Sequence, residues 1–370
     1  MKSFNSSSRL FVPGRINLLG EHLDYNGGPV LPFTLDKGLT AVWRPRDDHR
    51  VQIYSQGQPT ALELDLRDLA SHFDVNPWYR PSLAMLRMMM ESYPGASRGF
   101  SVDIASTLPP AAGLSSSAAT EILMGWIFCR VQNIDLPRSE LALAAQKAEH
   151  RFLNVRCGIM DMWAIAHGRK NFITHIDCSG PIHQYLPLYP EPWHIVILHS
   201  GISRRLESSE YNDRRAACER ALARLRQRHP ITHLAEAEPE MLALLEDPIE
   251  FRRTRHVITE TQRVYQAIEA LTRGTIEALG PLLKESHASL RADYEVTGAP
   301  ADAIAEAANN HPACLGCRLT GAGFGGCLVA LVFKNEVKQF ERDVLENLRL
   351  LNWDLQPQII PVESGEIRED

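Results

Sequence analysis

A chain of 370 residues, 44% hydrophobic and 23% charged, is long enough to bury a sizeable core and to hold two domains. Its net charge of -6, with acidic and basic residues interspersed, offers no broad cationic face, which argues against nucleic acid or an anionic membrane as the main partner. The opening MKSFNSSSRLFVPGRIN has no continuous apolar stretch of the secretory kind, and no later run approaches a membrane span, so a cytoplasmic chain is expected. Seven scattered cysteines do not make a disulfide framework, and the CLGC pair at Cys314 and Cys317 has no second pair at zinc-ribbon spacing. That pair reads as packing.

In chain order, the first dense motif is GRINLLGEHLDYNGG, Gly14 to Gly28, where Ile16, Leu18 and Leu19 flank Asn17 and lead into Gly20. The pattern predicts a short strand that delivers Glu21, His22 and Asp24 to a loop. Alone, each of these side chains reads as part of a polar surface turn. A cation, two carboxylates and an imidazole in one such segment read as a site. GLTAVWRPRDDHRVQIYS, Gly38 to Ser55, alternates apolar and polar residues around Arg46 to His49 and predicts a β-hairpin with one solvated face.

PPAAGLSSSAATE, Pro109 to Glu121, runs a small-residue turn into a helix start marked by three serines. A helix N-terminus presents unsatisfied N–H groups and a partial positive charge, so the segment reads either as an anion cradle or as an N-capped structural helix. It lacks the Gly-Lys-Ser/Thr ending of a P-loop. Helical periodicity covers Ser115 to Gln132, with an apolar stripe of Ile122, Leu123, Trp126 and Ile127, and then Arg138 to Asn154. RCGIMDMW holds Asp161 in an apolar context where an isolated carboxylate is costly unless paired with a cation such as Arg15.

NFITHID and WHIVILHSG read as buried strands, and CSGPIHQYLPLYPEPW between them carries four prolines, which predict irregular chain. A domain boundary placed there gives residues 1–180 and 181–370. Further helices are predicted over Ser209 to Arg228, His256 to Thr272, Gly280 to Leu290 and Val337 to Leu350, with strands over Gly326 to Phe333 and near Ile359. LTGAGFGGC, Leu319 to Cys327, packs four glycines ahead of the first of these strands, a density that signals unusual backbone angles or close backbone approach. Strands and helices mix without strict alternation, so the fold class is α+β.

Together, GRINLLGEHLDYNGG, GLSSSAA, CGIMD and GAGFGGC occur in the order and wording of the GHMP small-molecule kinases, and specifically resemble the galactokinases. SSEYNDRRAAC around Tyr211 and ESHASLRADYEVTG extend the likeness from about Pro13 to Val332. The resemblance implies a GHMP kinase fold: an N-terminal α+β domain, a ferredoxin-like C-terminal domain, and an active site in the cleft between them. It implies Arg15 and Asp161 as the catalytic pair, and Glu21, His22, Leu23, Asp24, Gly158 and Tyr211 as sugar-binding residues. Ala111, Ala112, Gly113, Leu114, Ser115, Ser116 and Ser117 would wrap the phosphates of ATP, and Ser117 and Glu149 would hold Mg2+. Glu21 would lie near the sugar O6, where a carboxylate accepts a hydrogen bond from a hydroxymethyl group and repels a uronate.

The implied activity is phosphorylation of the galactose 1-OH by a chain expected to be monomeric. Another sugar-1-kinase, acting on arabinose, galacturonate or an amino-sugar, and a non-catalytic galactose and ATP sensor are the rival readings. Ala118 and Ala119 after the serines, kept together with Arg15 and Asp161, favour the enzyme. The chain departs from the family at Met162, where galactokinases carry Gln, and at Pro110, Ala111 and Ala112, where a Gly-Ala-Gly run is usual.

Overall fold

The computed structural model describes residues 7–70, 76–110, 112–188, 191–202, 208–350 and 356–370. The chain begins with β1 (Ser8–Asn17), β2 (Pro29–Val30), β3 (Pro32–Pro45), β4 (Arg50–Ser55), β5 (Leu62–Asp65), α1 (Arg80–Ser92) and β6 (Phe100–Ser106). Next come α2 (Ser116–Gln132), α3 (Arg138–Ala148), α4 (Met160–His167), β7 (Phe172–Asp177), β8 (Ile182–Pro187), β9 (Trp193–His199) and α5 (Ser208–Leu225). The remainder holds α6 (Pro248–Arg273), α7 (Leu279–Ser289), α8 (Ala299–Asn309), β10 (Cys314–Thr320), β11 (Cys327–Phe333), α9 (Val337–Arg349), β12 (Gln358–Pro361) and β13 (Arg368–Glu369).

A first sheet runs β13-β1-β3-β6-β4-β5, antiparallel except where β4 lies parallel to β6. Period-2 patterning sets its faces: in β3, Leu39, Ala41 and Trp43 are buried while Val42 between them is exposed. Helix α2 lies against β1 and β3 and is covered by α1, α3 and α4, so apolar residues surround it almost completely. Trp126, placed by periodicity on the apolar stripe, instead sits at the outer edge beneath the Arg130 and Arg138 guanidiniums and donates to Glu369.

The second sheet runs β12-β9-β11-β10, all antiparallel, with α7 and α8 against β10 and α9 against β11 and β12. Numbered within this unit the order is 4-1-3-2, the ferredoxin-like βαββαβ arrangement. Cys314 and Cys317 are buried in β10, as the packing reading requires. A small sheet, β2-β7-β8, lies beside the first, and residues 363–370 return to β1 and β3 through β13 and a Leu35–Ser364 bridge. Among the described residues, no helix is long and apolar enough to cross a membrane.

Two expectations are corrected. The hairpin over Gly38 to Ser55 does not form, because β6 inserts between β3 and β4 and takes the hydrogen bonds of both. Local alternation describes which faces of two strands are solvated but not which strand lies between them. The proline-rich segment is not wholly irregular either. β8 lies between Pro181 and Pro187 at a sheet edge, where a missing N–H is tolerated. Helices α1 and α8 went unread although Leu83, Leu86 and Met89, and Ala301, Ile304, Ala305 and Ala308, have helical spacing behind a proline at the first turn.

The insertion of β6 needs close approach at its start. Gly99 donates to Asp48 O at 2.6 Å and accepts from Arg46 N at 2.9 Å, and a Cβ on it would meet Arg50 O at 1.9 Å. Gly99→Ala is expected to force β4 from β6 and cost about 1–3 kcal/mol as an overpacked site. A denaturant titration checks this, and an unchanged midpoint contradicts it.

Candidate active site

The cleft between the two larger sheets' units is assembled from segments far apart in sequence. A register shift in β1 between Pro13 and Arg15 forms a bulge that turns Arg15 inward, where its backbone N–H donates to Leu114 O. β1 ends at Asn17, and the chain then turns at Gly20, whose φ of +103° suits a residue without a Cβ. A short 3-10 turn at Asp24–Asn26 follows, held by Asn26 Nδ2 donating to His22 O at 2.7 Å. Asp161 is the second residue of α4, and Ser115 caps α2 in the left-handed region at φ 59°.

At the floor, Arg15 Nε and Nη2 each donate to one oxygen of Asp161 at 2.7 Å, a bidentate pair. Ser115 Oγ adds a third donor to Asp161 at 2.5 Å, and Arg15 Nη1 donates to Gly113 O at 2.9 Å. The guanidinium is nearly sealed, at 3% exposure, while the carboxylate is 30% exposed to the cleft. The pair therefore presents an acid to the cavity and hides its counter-ion behind it.

Around it lies a cavity of about 180 Å³ whose lining includes Arg15, Glu21, His22, Asp24, Gly113, Ser115 to Ala118, Glu149, Gly158, Asp161, Met162 and Tyr211. On one side, His22 Nδ1 pairs with Tyr25 OH at 3.0 Å, and the His22 ring stacks on Tyr294 at 4.4 Å. Tyr211, on α5, stands edge-on to Tyr25 with ring centroids 5.5 Å apart. Asp24 packs directly on Gly158, where a Cβ would fall 1.9 Å from its Oδ2. On the other side, Ser117 Oγ donates to Glu149 Oε1 at 2.7 Å. Glu149 opens a single π-helical turn, Glu149–Leu153, a rare feature that aims its carboxylate inward.

The electrostatics are lopsided, with carboxylates outnumbering the single guanidinium of the lining. Burial, then the charges of Asp161 and Glu21, push the Asp24 carboxyl up to about 7. Burial and Glu149 hold Glu121, fully buried one helical turn beyond Ser117, well above the usual carboxyl range. The site thus suits hydroxyl groups and a cation carrying phosphates. Among the described residues, no group of three or more His, Cys, Asp or Glu side chains forms a metal site by itself.

The chain is similar to known proteins over most of its length. Residues 1–45 match the galactokinase galactose-binding signature, residues 82–169 the GHMP kinases N terminal domain, and residues 267–350 the GHMP kinases C terminal domain. The galactokinase of Lactobacillus helveticus is 40% identical over 340 residues, 90% of this chain and 88% of that protein. That of Enterococcus faecalis is 39% identical over 336 residues, covering 89% and 87%. The chain belongs to the galactokinase family. Lactococcus lactis galactokinase, in a crystal structure complexed with galactose, superposes with a TM-score of 0.93 at 35% identity, over 98% of this chain and 95% of that one. Methanococcus jannaschii mevalonate kinase, at 18% identity and TM-score 0.69, shares the fold.

For a galactokinase-family chain, the sequence-derived set converges well. Arg15, Glu21, His22, Asp24, Gly113, Ser115, Ser116, Ser117, Glu149, Gly158, Asp161 and Tyr211 line one cavity. Leu23 does not: it is fully buried in the core, and its carbonyl instead closes the loop by accepting from Asn26 and Gly28 N–H groups. Ala112 and Leu114 also turn their side chains into the core, so only their backbone faces the loop's other partners. Ala111 lies outside the described residues. Glu121 was not singled out, although a glutamate four residues after Ser117 inside an otherwise apolar helix was a readable signal. Arg318 was missed because nothing local marks a buried arginine in a strand.

The raised Asp24 carboxyl has a stability consequence with a definite sign. Its folded value of about 7 exceeds the unfolded 3.8, so folding takes up a proton and stability falls as pH rises between those values. Asp24→Asn should match the parent in thermal midpoint below pH 3.8 and exceed it increasingly up to about pH 7, with a constant gap above. Calorimetric melts across that range check it; a gap independent of pH contradicts it.

Proposed function

We propose that this chain transfers the γ-phosphoryl group of ATP to the anomeric hydroxyl of galactose, giving galactose 1-phosphate and ADP. The observation that carries the reading is the Arg15–Asp161 pair, bound to Ser115 and Gly113 of the serine loop on one side and open to the Asp24–Gly158–Tyr211 wall on the other. An acid at that junction is within reach of both a sugar hydroxyl and a phosphate chain. Residues 1–180 supply the pair and the loop, and residues 181–370 supply Tyr211, Gly321 and Ala322 to the opposite wall.

Phosphoryl transfer asks the protein for alignment and charge neutralisation more than for covalent chemistry. Glu21, His22, Asp24 and Tyr211 hold the sugar through its hydroxyls. Asp161 accepts the hydrogen bond of the 1-OH, orients its oxygen in line, and takes the proton as the new P–O bond forms. Arg15, locked in two hydrogen bonds to that acid, steadies its charge and offsets charge on the moving phosphoryl group. The start of α2, residues 115–117, gives N–H donors to the phosphates. Ser117 Oγ and Glu149 Oε1 are hard oxygen donors side by side at that helix start, a set that suits Mg2+, which binds through few carboxylates and its substrate's phosphates. When bound, Mg2+ neutralises phosphate charge.

ADP release measured against galactose, glucose, arabinose, galacturonate and an amino-sugar tests the assignment, with galactose expected to be preferred. Turnover on none of them, despite tight sugar binding, overturns it in favour of a sensor. Asp161→Asn should lower kcat by roughly 10²- to 10⁴-fold with ATP affinity nearly unchanged, and near-normal turnover excludes Asp161 from the chemistry. Gly158→Ala, which displaces the Asp24 carboxylate, should raise KM for galactose by roughly 10-fold, the scale of a lost hydrogen bond to a charged group, and leave KM for ATP as it was.

A further inference from the structure

Arg318 has no exposed surface, and its guanidinium is directed at the end of β1 and the loop after it, apart from Nη1, which donates to Ser286 Oγ at 3.3 Å. Its Nε donates to Leu18 O at 2.8 Å, and its Nη2 donates to both Asn17 O and Glu21 Oε1 at 2.8 Å. Thr320 Oγ1 lies 3.0 Å from both Asn17 O and Glu21 Oε1, and the Gly321 N–H donates to the same Glu21 oxygen at 2.8 Å. Two N–H donors, from Arg318 and Gly321, and a hydroxyl whose single proton is shared with Asn17 O thus converge on one oxygen of a carboxylate that lines the cavity, while neither Arg318 nor Thr320 lines it.

We infer that Arg318 and Thr320 are specificity-determining positioning residues, which pin one oxygen of Glu21 so that the carboxylate plane presents its other oxygen to the sugar hydroxymethyl group. This rests on the proposed galactose site. A glutamate has several rotatable bonds, and a ligand hydroxyl cannot afford to order them anew at each binding event. Pinning one oxygen from behind removes that entropy cost in advance. The discrimination between a sugar with a 6-hydroxyl and one without it then depends on residues that never touch the sugar.

The test is calorimetric binding of galactose and of 6-deoxygalactose to the full chain and to the variants Thr320→Val and Arg318→Lys, each first shown to melt cooperatively. The parent should prefer galactose by roughly 10- to 100-fold, as expected for a hydroxyl bonded to a charged acceptor. Both variants should shrink that preference several-fold by losing galactose affinity, with 6-deoxygalactose binding little changed. Equal weakening of both sugars, or an unchanged preference, shows a merely structural role and overturns the inference, as does a parent without the preference. Thr320→Val, which removes one hydroxyl at nearly constant volume, carries the test alone if Arg318→Lys does not fold. ADP release by the parent on galactose reports separately on the proposed activity, so the two readings fail by different measurements.

Discussion

Two buried acid–base pairs, Glu21 with Arg318 and Glu260 with Arg263, meet where the loop after β1, strand β10 and helix α6 come together. Charges taken this far from water are tolerated only when an opposite charge and converging hydrogen-bond donors compensate them. Glu260 meets the condition by accepting from Gly20 N–H at 2.9 Å, Ser286 Oγ at 2.8 Å and Arg263 Nε at 2.8 Å. Burial alone would raise its carboxyl, but Arg263 first, then His256, Arg318 and the Gly20 N–H bring it down to about 2. Removing one member of such a set typically costs about 3–5 kcal/mol, because its partner is left charged and unmatched. The cluster therefore specifies one placement of the loop against the second unit, and every cavity-lining residue on that loop inherits its position.

The same economy of charge organises the cavity. A sealed guanidinium, Arg15, faces an acid that is open to the cleft, and further carboxylates stand around them. Glycines make the close approaches possible. Gly158 admits the Asp24 carboxylate, and the cluster Gly321, Gly323, Gly325 and Gly326, all at positive φ, lets the turn before β11 reach both Glu21 and the backbone of Ala112. Met162 lines the cavity beside Asp161, so an apolar thioether side chain stands next to the acid. The chain from Ala112 onward nonetheless leads into a helix start whose serines reach Asp161 and Glu149.

How far the sequence could be read depended on the kind of residue. Arg15, Glu21, His22, Asp24 and the serines were legible because polar groups crowded into short segments at strand and helix ends have few structural uses. Leu23, read as part of the same loop, turned out to be core: an apolar side chain between polar ones points the other way. Glu121 and Arg318 escaped because a single charge within an apolar run gives no local sign of its partner. β8 escaped because prolines at its ends resemble prolines within it.

By itself the amino-acid sequence determined the α+β class, most helices of the second half and the segments that line the cavity, since periodicity, turn residues and motif spacing are properties of neighbouring residues. Only the tertiary structure decided that β6 lies between β3 and β4, that Trp126 faces outward, and that Arg318 stands behind Glu21. Those outcomes are settled by which distant surfaces bury best together and which buried charges find partners, and Asn17 and Thr320, hydrogen-bonded across 303 positions of chain, are adjacent only once folding has made them so.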